Sequence, residues 1–176
     1  HYGFTTQLRP IFYLATTKPG RIFKWRNARF RFITLSNHKF FGFQEVEVLG
    51  TKVKMAEPEK TLVDSVDKMK YAGGIAEVLA VIYNGLKKVE RRKLTNYAVR
   101  MRSHSLIQRL GYLTDVLANE GLTSFPEEAR KKLVKHVGKT VIYLDPSREK
   151  SGRLAKAWNI IANVPEKELL SEAQIR

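Results

Sequence analysis

Apolar and polar positions alternate through the first third of the chain, which is the period-two pattern of strands with one buried and one wet face. Between residues 52 and 55, for example, Val53 and Met55 alternate with lysines. Turn signals at residues 18–20 and 27–28 separate the apolar runs. The pattern predicts strands over residues 11–15, 22–25, 30–35, 40–48 and 52–55, with a hairpin joining the second strand to the third.

From residue 57 onward the apolar positions recur three and four residues apart, which is the period of an amphipathic helix. Pro58 suits the first turn of a helix, and acids beside it complement the positive end of the helix dipole. Gly73 and Gly74 predict a turn between two helices. Gly111 lies inside the longest stripe, where glycine costs about 1 kcal/mol relative to alanine, so we expect close packing there. The stripes are Leu62, Val66 and Met69; Ile75, Val78, Leu79, Ile82 and Leu86; Leu94, Ala98 and Met101; and Leu106, Leu110, Leu113 and Leu117.

The last third of the chain mixes both patterns. Residues 124–127 have capping-box spacing and predict a further helix that Gly138 ends. Strands are predicted over residues 141–144 and 157–162, and a charged terminal helix or tail over residues 165–176. We therefore predict an α+β fold, in which a mainly antiparallel N-terminal sheet packs with about five C-terminal helices and one or two late strands. Residues 1–164 are predicted to form one domain.

Composition removes several classes of protein. The 176 residues contain no Cys, which excludes disulfide frameworks, thiolate zinc sites and Cys nucleophiles and fits a reducing cytoplasm. We find no run of about 18 apolar residues and no signal-peptide pattern, so we expect a cytoplasmic protein without a membrane partner. The 32 Lys and Arg outnumber the 17 Asp and Glu, giving a formal charge of +15 that favours a polyanionic partner, DNA above all.

The basic residues form three clusters, of which the first lies among strands with interleaved aromatics. Strand alternation places Arg29 and Arg31 on one face, opposite Phe30 and Phe32, so we expect a row of cations with the aromatics packed inward. The planar fork of arginine suits phosphate, although such contacts give affinity rather than sequence readout. The third cluster is Arg130, Lys131, Lys132, Lys135 and Lys139. The predicted phosphate contacts come from the first two clusters and their continuation: Arg21, Lys24, Arg26, Arg29, Arg31, Lys87, Lys88, Arg91, Arg92, Lys93, Arg100, Arg102 and Arg109.

Candidate catalytic groups are few. The histidines at positions 1, 38, 104 and 136 lack metal-ligand spacing, and the chain has no phosphate-binding glycine loop, so no cofactor or metal is expected. Glu59, Lys60 and Asp64 are compatible with a metal-dependent nuclease, in which acids and a lysine converge on one phosphate. We favour the simpler interpretation, in which these residues shape the start of a helix and the protein is not an enzyme. A basic protein-interaction module is the other alternative.

Five segments in series resemble the AbiEi-type antitoxins, transcriptional regulators of abortive-infection, type IV toxin–antitoxin systems. The segment 56–64 (AEPEKTLVD) is similar to the family pattern A-x-P-E-K-T-L-x-D, and residues 108–113 (QRLGYL) resemble its R-R-L-G-Y-L helix. Residues 1–5, the glycine pair of residues 71–74, and the closing residues 144–146 and 158–163 fall where the family has comparable segments.

The resemblance implies the C-terminal effector domain of a DNA-binding autorepressor, which in this family follows an N-terminal winged helix. It also implies a nucleotidyltransferase-like toxin as a functional partner that is opposed without a stable complex. We expect the motif residues themselves to have structural roles, and these are Pro58, Glu59, Lys60, Asp64, Gly73, Gly74 and Gly111.

Overall fold

A computed structural model describes residues 2–5, 11–20 and 22–175 and confirms the α+β class. Its contacts group the chain into two units, where the sequence predicts one domain over residues 1–164. One, here the helical unit, comprises His1–Thr5 with Glu57–Arg176, and the other, the sheet unit, is Thr6–Ala56. Each unit is described by itself below.

Within its described residues, 11–20 and 22–56, the sheet unit has five strands in two small sheets. The first sheet has the order β1-β3-β2, formed by Ile11–Thr16 (β1), Ala28–Thr34 (β3) and Phe23–Trp25 (β2). The β2–β3 hairpin is antiparallel as predicted, whereas β1 pairs with β3 in parallel. Because one pair is parallel and the other antiparallel, this sheet is mixed. β1 lies on the side of β3 opposite the hairpin.

The second sheet of this unit is a two-stranded antiparallel hairpin, formed by Phe43–Val48 (β4) and Thr51–Ala56 (β5). Its register places Glu45 opposite Lys54 and Glu47 opposite Lys52. Opposite charges on facing positions stabilise such pairs modestly. The strand predicted over residues 40–48 begins at Phe43 instead of residue 40. A 3-10 turn, Asn37–Lys39, precedes it.

Seven helices follow within the described part of the helical unit. They are Pro58–Asp67 (α1), Met69–Ala72 (α2), Ile75–Leu86 (α3), Arg91–Arg100 (α4), His104–Asn119 (α5), Glu127–Val134 (α6) and Glu166–Glu172 (α7). The predicted stripes on α1, α3, α4 and α5 are largely buried and form the core of the unit. Burying such side chains contributes about 1.5–3 kcal/mol each. None of these helices is long and apolar enough to cross a bilayer.

Three short strands complete the helical unit, where the sequence predicts one or two. They are Ile142–Tyr143 (β6), Arg153–Ala155 (β7) and Ile160–Ala162 (β8), in the order β6-β8-β7. Trp158 ends a 3-10 turn, Lys156–Trp158, within the strand predicted over residues 157–162. The terminal segment is a helix rather than a tail, since α7 packs on α3 and buries Leu169.

Three glycines, at positions 73, 74 and 111, behave as expected. Gly73 and Gly74 both have positive φ, at 111° and 95°, and join α2 to α3 by a turn that disfavours other residues. Gly111 gives the Trp158 ring its place against α5, because a Cβ on residue 111 would lie 2.1 Å from the ring. The close packing predicted for Gly111 is confirmed.

The expected capping box before α6 is not formed. Pro126, and not Ser124, occupies the position before the helix, and no side chain caps it. The helix also ends at Val134, four residues before Gly138, which was predicted to end it. A proline at the entry fixes the backbone there without help from a hydroxyl group.

The first described residues are held on the helical unit. Phe4 is buried, and its carbonyl accepts a hydrogen bond of 3.2 Å from the Asn84 side chain of α3. Lys88 donates to the carbonyl of Tyr2 at 2.7 Å, and Thr5 donates to Glu77. The chain therefore leaves this unit after residue 5 and returns to it at residue 57.

Candidate nucleic-acid interface

Helices α4 and α6 bring part of the second basic cluster next to the third. The two helices pack together, and a groove of about 890 Å³ lies along them. Its acidic component is Glu128, whereas six of its lining residues are basic or histidine. The basic lining residues are Arg92, Arg130, Lys131, Lys132, Lys135 and His136. We call this surface the α4–α6 groove.

Most cations of the α4–α6 groove are open to solvent. The Arg92 side chain is 88% exposed and lies 3.5 Å from Glu90, and Lys131 lies 3.8 Å from an exposed Glu128. Exposed pairs of this kind contribute little to stability, so a phosphate can compete for the cation. Lys132 donates to the Asn96 side chain at 2.7 Å, while Lys135 makes no ion pair with another described residue.

Arg130 holds α6 in place rather than facing a ligand. Its guanidinium donates two hydrogen bonds to Asp115 of α5, at 2.9 and 2.8 Å, and lies 5.3 Å from the centre of the Trp158 ring. Trp158 donates to the same carboxylate at 2.7 Å. The hydrogen bonds that Arg130 donates to Asp115 raise the pKa of Arg130. One carboxylate therefore joins α5, α6 and the 3-10 turn at residue 158.

The sheet unit carries the first basic cluster as expected. Lys24 lies opposite Arg29 in the β2–β3 register, and Arg31 follows Arg29 on the same face of β3. Arg26 occupies the hairpin turn with a positive φ of 51°. Arg21 lies outside the described residues.

The expectation that the aromatics interleaved with this cluster pack inward is wrong for Phe23, and Phe12 of β1 is exposed with it. Phe12 is 55% exposed and Phe23 is 43% exposed, although both lie on the face of Phe30. Alternation shows which side chains share a face, but it does not show whether that face is covered.

Several predicted phosphate contacts of the second cluster have partners within the protein. Lys88 binds the Tyr2 carbonyl, Lys87 lies 3.7 Å from the centre of the Tyr83 ring, and Arg91 donates to the Val89 carbonyl at 3.4 Å. Exposed Arg100 and Arg102 lie at the end of α4, and Arg102 has a positive φ of 50°.

Arg109 is the most strongly engaged of the predicted contacts. It donates to the carbonyls of Leu144 and Tyr143, at 3.0 and 3.1 Å. Burial lowers its pKa, and the nearby Asp145 and Asp67 oppose that effect. Its guanidinium therefore ties α5 to the end of β6.

Two acids of the segment 56–64, Glu57 and Glu59, contact α4. Lys93 lies 3.3 Å from both Glu57 and Glu59, and Tyr97 donates to Glu57. Glu59 also accepts a hydrogen bond of 3.2 Å from the Glu90 backbone N–H, just before α4 begins. Although burial opposes it, the two carboxylates raise the pKa of Lys93. Pro58 occupies the first turn of α1, as predicted.

The three residues of the nuclease alternative do not open onto one cleft. Lys60 is completely buried and pairs with Asp64 one turn along α1, while Glu59 is buried against α4. Within the described residues, no three His, Cys, Asp or Glu side chains are grouped so that they could hold a metal ion.

Sequence reasoning placed the third cluster outside the predicted contacts, yet α6 supplies most of the cations in the α4–α6 groove. A signal was available, since Lys131 and Lys135 are four residues apart and so share one face of a helix. The sequence could not show which element packs beside that face, because the packing of α4 on α6 is a tertiary contact.

Comparison of the chain with protein-family models, with curated proteins and with solved structures finds no match to any of them.

Proposed function

We propose that this chain binds nucleic acid without catalysing a reaction, and that the α4–α6 groove contacts the phosphates. The supporting observation is that Arg92 of the second basic cluster lies in one groove with most of the third cluster, and that this groove has little opposing acid. A row of exposed cations releases condensed counterions when it neutralises phosphates, which drives binding irrespective of base sequence. The cations that have partners within the protein have structural roles in this proposal, and these are Lys60, Lys93, Arg109 and Arg130.

We further propose that this binding serves an antitoxin-like transcriptional regulator, an autorepressor of an abortive-infection type IV toxin–antitoxin operon. This part rests on the resemblance of five sequence segments to AbiEi-type antitoxins. The corresponding toxin would be a nucleotidyltransferase-like protein that is opposed without a stable complex. Co-expression with such a toxin from the same operon is expected to restore growth, while affinity purification recovers the two proteins separately.

The experiment for the groove is a salt titration of duplex binding by fluorescence anisotropy. The triple variant Lys131→Gln, Lys132→Gln and Lys135→Gln removes three cations from α6. If each contacts a phosphate, the slope of log K against log salt becomes shallower by roughly 2.7. The matched control is Lys167→Gln, an exposed lysine on α7 that lies outside the groove.

Two outcomes would contradict the proposal. Unchanged duplex affinity and slope in the triple variant would remove the groove as the phosphate site. Incubation of plasmid or RNA with Mg²⁺ or Mn²⁺ is expected to leave it intact, and cleavage that is lost in Asp64→Ala would establish the nuclease instead.

A further inference from the structure

Three phenylalanine rings form a row across the mixed sheet of the sheet unit. Phe12 of β1 stacks on Phe30 of β3 with 5.2 Å between ring centres, and Phe30 stacks on Phe23 of β2 at 4.8 Å. The rings are inclined by only 22° and 7°. The two outer rings are those left largely exposed, at 55% and 43%. The row is therefore a preformed aromatic stack in which the two outer rings are exposed to solvent.

The sheet unit that carries this row is strongly cationic. The sheet unit contains ten Lys and Arg and two Glu, so its formal charge is +8, and no acid precedes Glu45. Lys24, Arg29 and Arg31 have no acidic partner among the described residues. An apolar protein surface would gain nothing from this charge, whereas a polyanion carrying flat rings would satisfy both features.

We propose that the Phe12–Phe30–Phe23 row is a stacking platform for the bases of a single-stranded nucleic acid. Every base presents an aromatic face, so stacking on exposed rings is tolerant of sequence. In a duplex the bases are stacked on one another and their faces are covered, so the row discriminates for single strands. This surface belongs to the sheet unit and the α4–α6 groove to the helical unit, and the proposal for the row does not rest on that groove.

The edge position of β2 explains how phosphates and bases can be contacted together. In the sheet order β1-β3-β2, the strand β2 has one open side, and Phe23 and Lys24 project to its opposite faces. A nucleic-acid strand running along this edge can stack bases on Phe23 at one face of the sheet, while its phosphates approach Lys24 at the other face of the same edge. Arg26 in the hairpin turn lies at the end of the same edge.

The test compares a twelve-nucleotide thymidine strand with an abasic strand that has the same number of phosphates, using the entire chain and fluorescence anisotropy. Wild type is expected to bind the thymidine strand about tenfold or more tightly than the abasic one, the lower range of stacking measured on other proteins. Phe12→Ala and Phe23→Ala are each expected to lose about tenfold on the thymidine strand and little on the abasic strand. Phe23→Trp retains a stacking ring and is expected to retain affinity.

Phe40→Ala is the matched control, because Phe40 is 42% exposed and belongs to the same unit but packs on Phe43. Circular dichroism of each variant confirms that the fold is retained. The platform would be overturned if wild type bound the two strands equally. It would also be overturned if neither alanine substitution changed the affinity for the thymidine strand. A change in sedimentation mass without a change in that affinity would identify the face as a self-association surface and overturn it as well.

The outcome for the platform is distinguishable from the outcome for the α4–α6 groove. Loss of thymidine-strand binding in Phe23→Ala with duplex binding intact supports the platform alone. If the α6 triple variant loses duplex binding and the phenylalanine variants keep wild-type affinity for the thymidine strand, the results support the groove alone.

Discussion

The two units carry nearly equal charge but hold it in different ways. The sheet unit has a formal charge of +8 in 51 residues, and the remaining 125 residues, with 22 Lys and Arg and 15 Asp and Glu, carry +7. In the helical unit many cations are bound by carboxylates or carbonyls, as Arg130, Arg109 and Lys93 are. In the sheet unit Arg29 and Arg31 have no described acidic partner.

Apolar side chains show the same contrast. Trp158 and the leucines of α5 are buried in the helical unit, whereas Phe12 and Phe23 of the sheet unit are largely exposed. Net charge alone therefore does not locate a polyanion site, because in one unit much of it supports the fold. A cation without a partner, in a unit that also exposes aromatic rings, is the more informative feature.

The largest expected difference in stability is between the truncation of an aromatic residue in the helical unit and the truncation of one in the sheet unit. Trp158→Ala removes a buried ring that packs on α5 and donates to Asp115, so we expect the free energy of unfolding to fall by about 3–5 kcal/mol. Phe12→Ala is expected to lose less than about 1 kcal/mol, since only a cross-strand stack is removed. Urea unfolding followed by circular dichroism measures both, and equal losses would break the contrast.

A paired and an unpaired cation provide a second comparison. Arg130→Ala removes a two-pronged charged contact to Asp115, and we expect a loss of about 1.5–3 kcal/mol. Arg29→Ala is expected to change stability by no more than about 0.5 kcal/mol, as for other surface substitutions. The same urea titration distinguishes them. In the double variant Asp115→Ala, Arg130→Ala the losses are expected to be less than additive, because both remove the same contact.

The smallest effect is a pH dependence of the helical unit. Burial and the Glu166 carboxylate raise the pKa of Tyr112, whose hydroxyl donates to Glu166 at 3.3 Å. The unfolded chain releases this proton near pH 10, roughly the value of a free tyrosine, while the native state retains it. Stability from this group is therefore complete below about pH 10 and is lost as the pH rises further. Urea midpoints of Tyr112→Phe are expected to fall less steeply than those of wild type between about pH 9 and 11, and parallel curves would contradict this.

Local periodicity predicted the helices well, because the stripe of Leu106, Leu110, Leu113 and Leu117 depends only on residues a few positions apart. The same stripe indicated a close contact at Gly111, but it could not identify Trp158 as the neighbour. The parallel pairing of β1 with β3 was missed for the same reason, since a hairpin is a local feature and a parallel pair is not.

For the candidate site, the sequence identifies the cations but not whether each has a partner within the folded protein. Arg109 and Arg29 are equivalent in composition, yet one donates to two backbone carbonyls and the other has no acidic partner among the described residues. That difference depends on which backbone lies within reach after folding. The proximity of α4 and α6, which are separated by 26 residues in sequence, is of the same kind.

The attachment of residues 2–5 to α3 has a consequence for limited proteolysis. Phe4, Asn84 and Lys88 join the beginning of the chain to the helical unit without a covalent link. A single nick in the exposed loop at residues 17–20 would leave an N-terminal fragment bound through this contact and through β1. The two pieces would elute together in gel filtration and separate only when denatured.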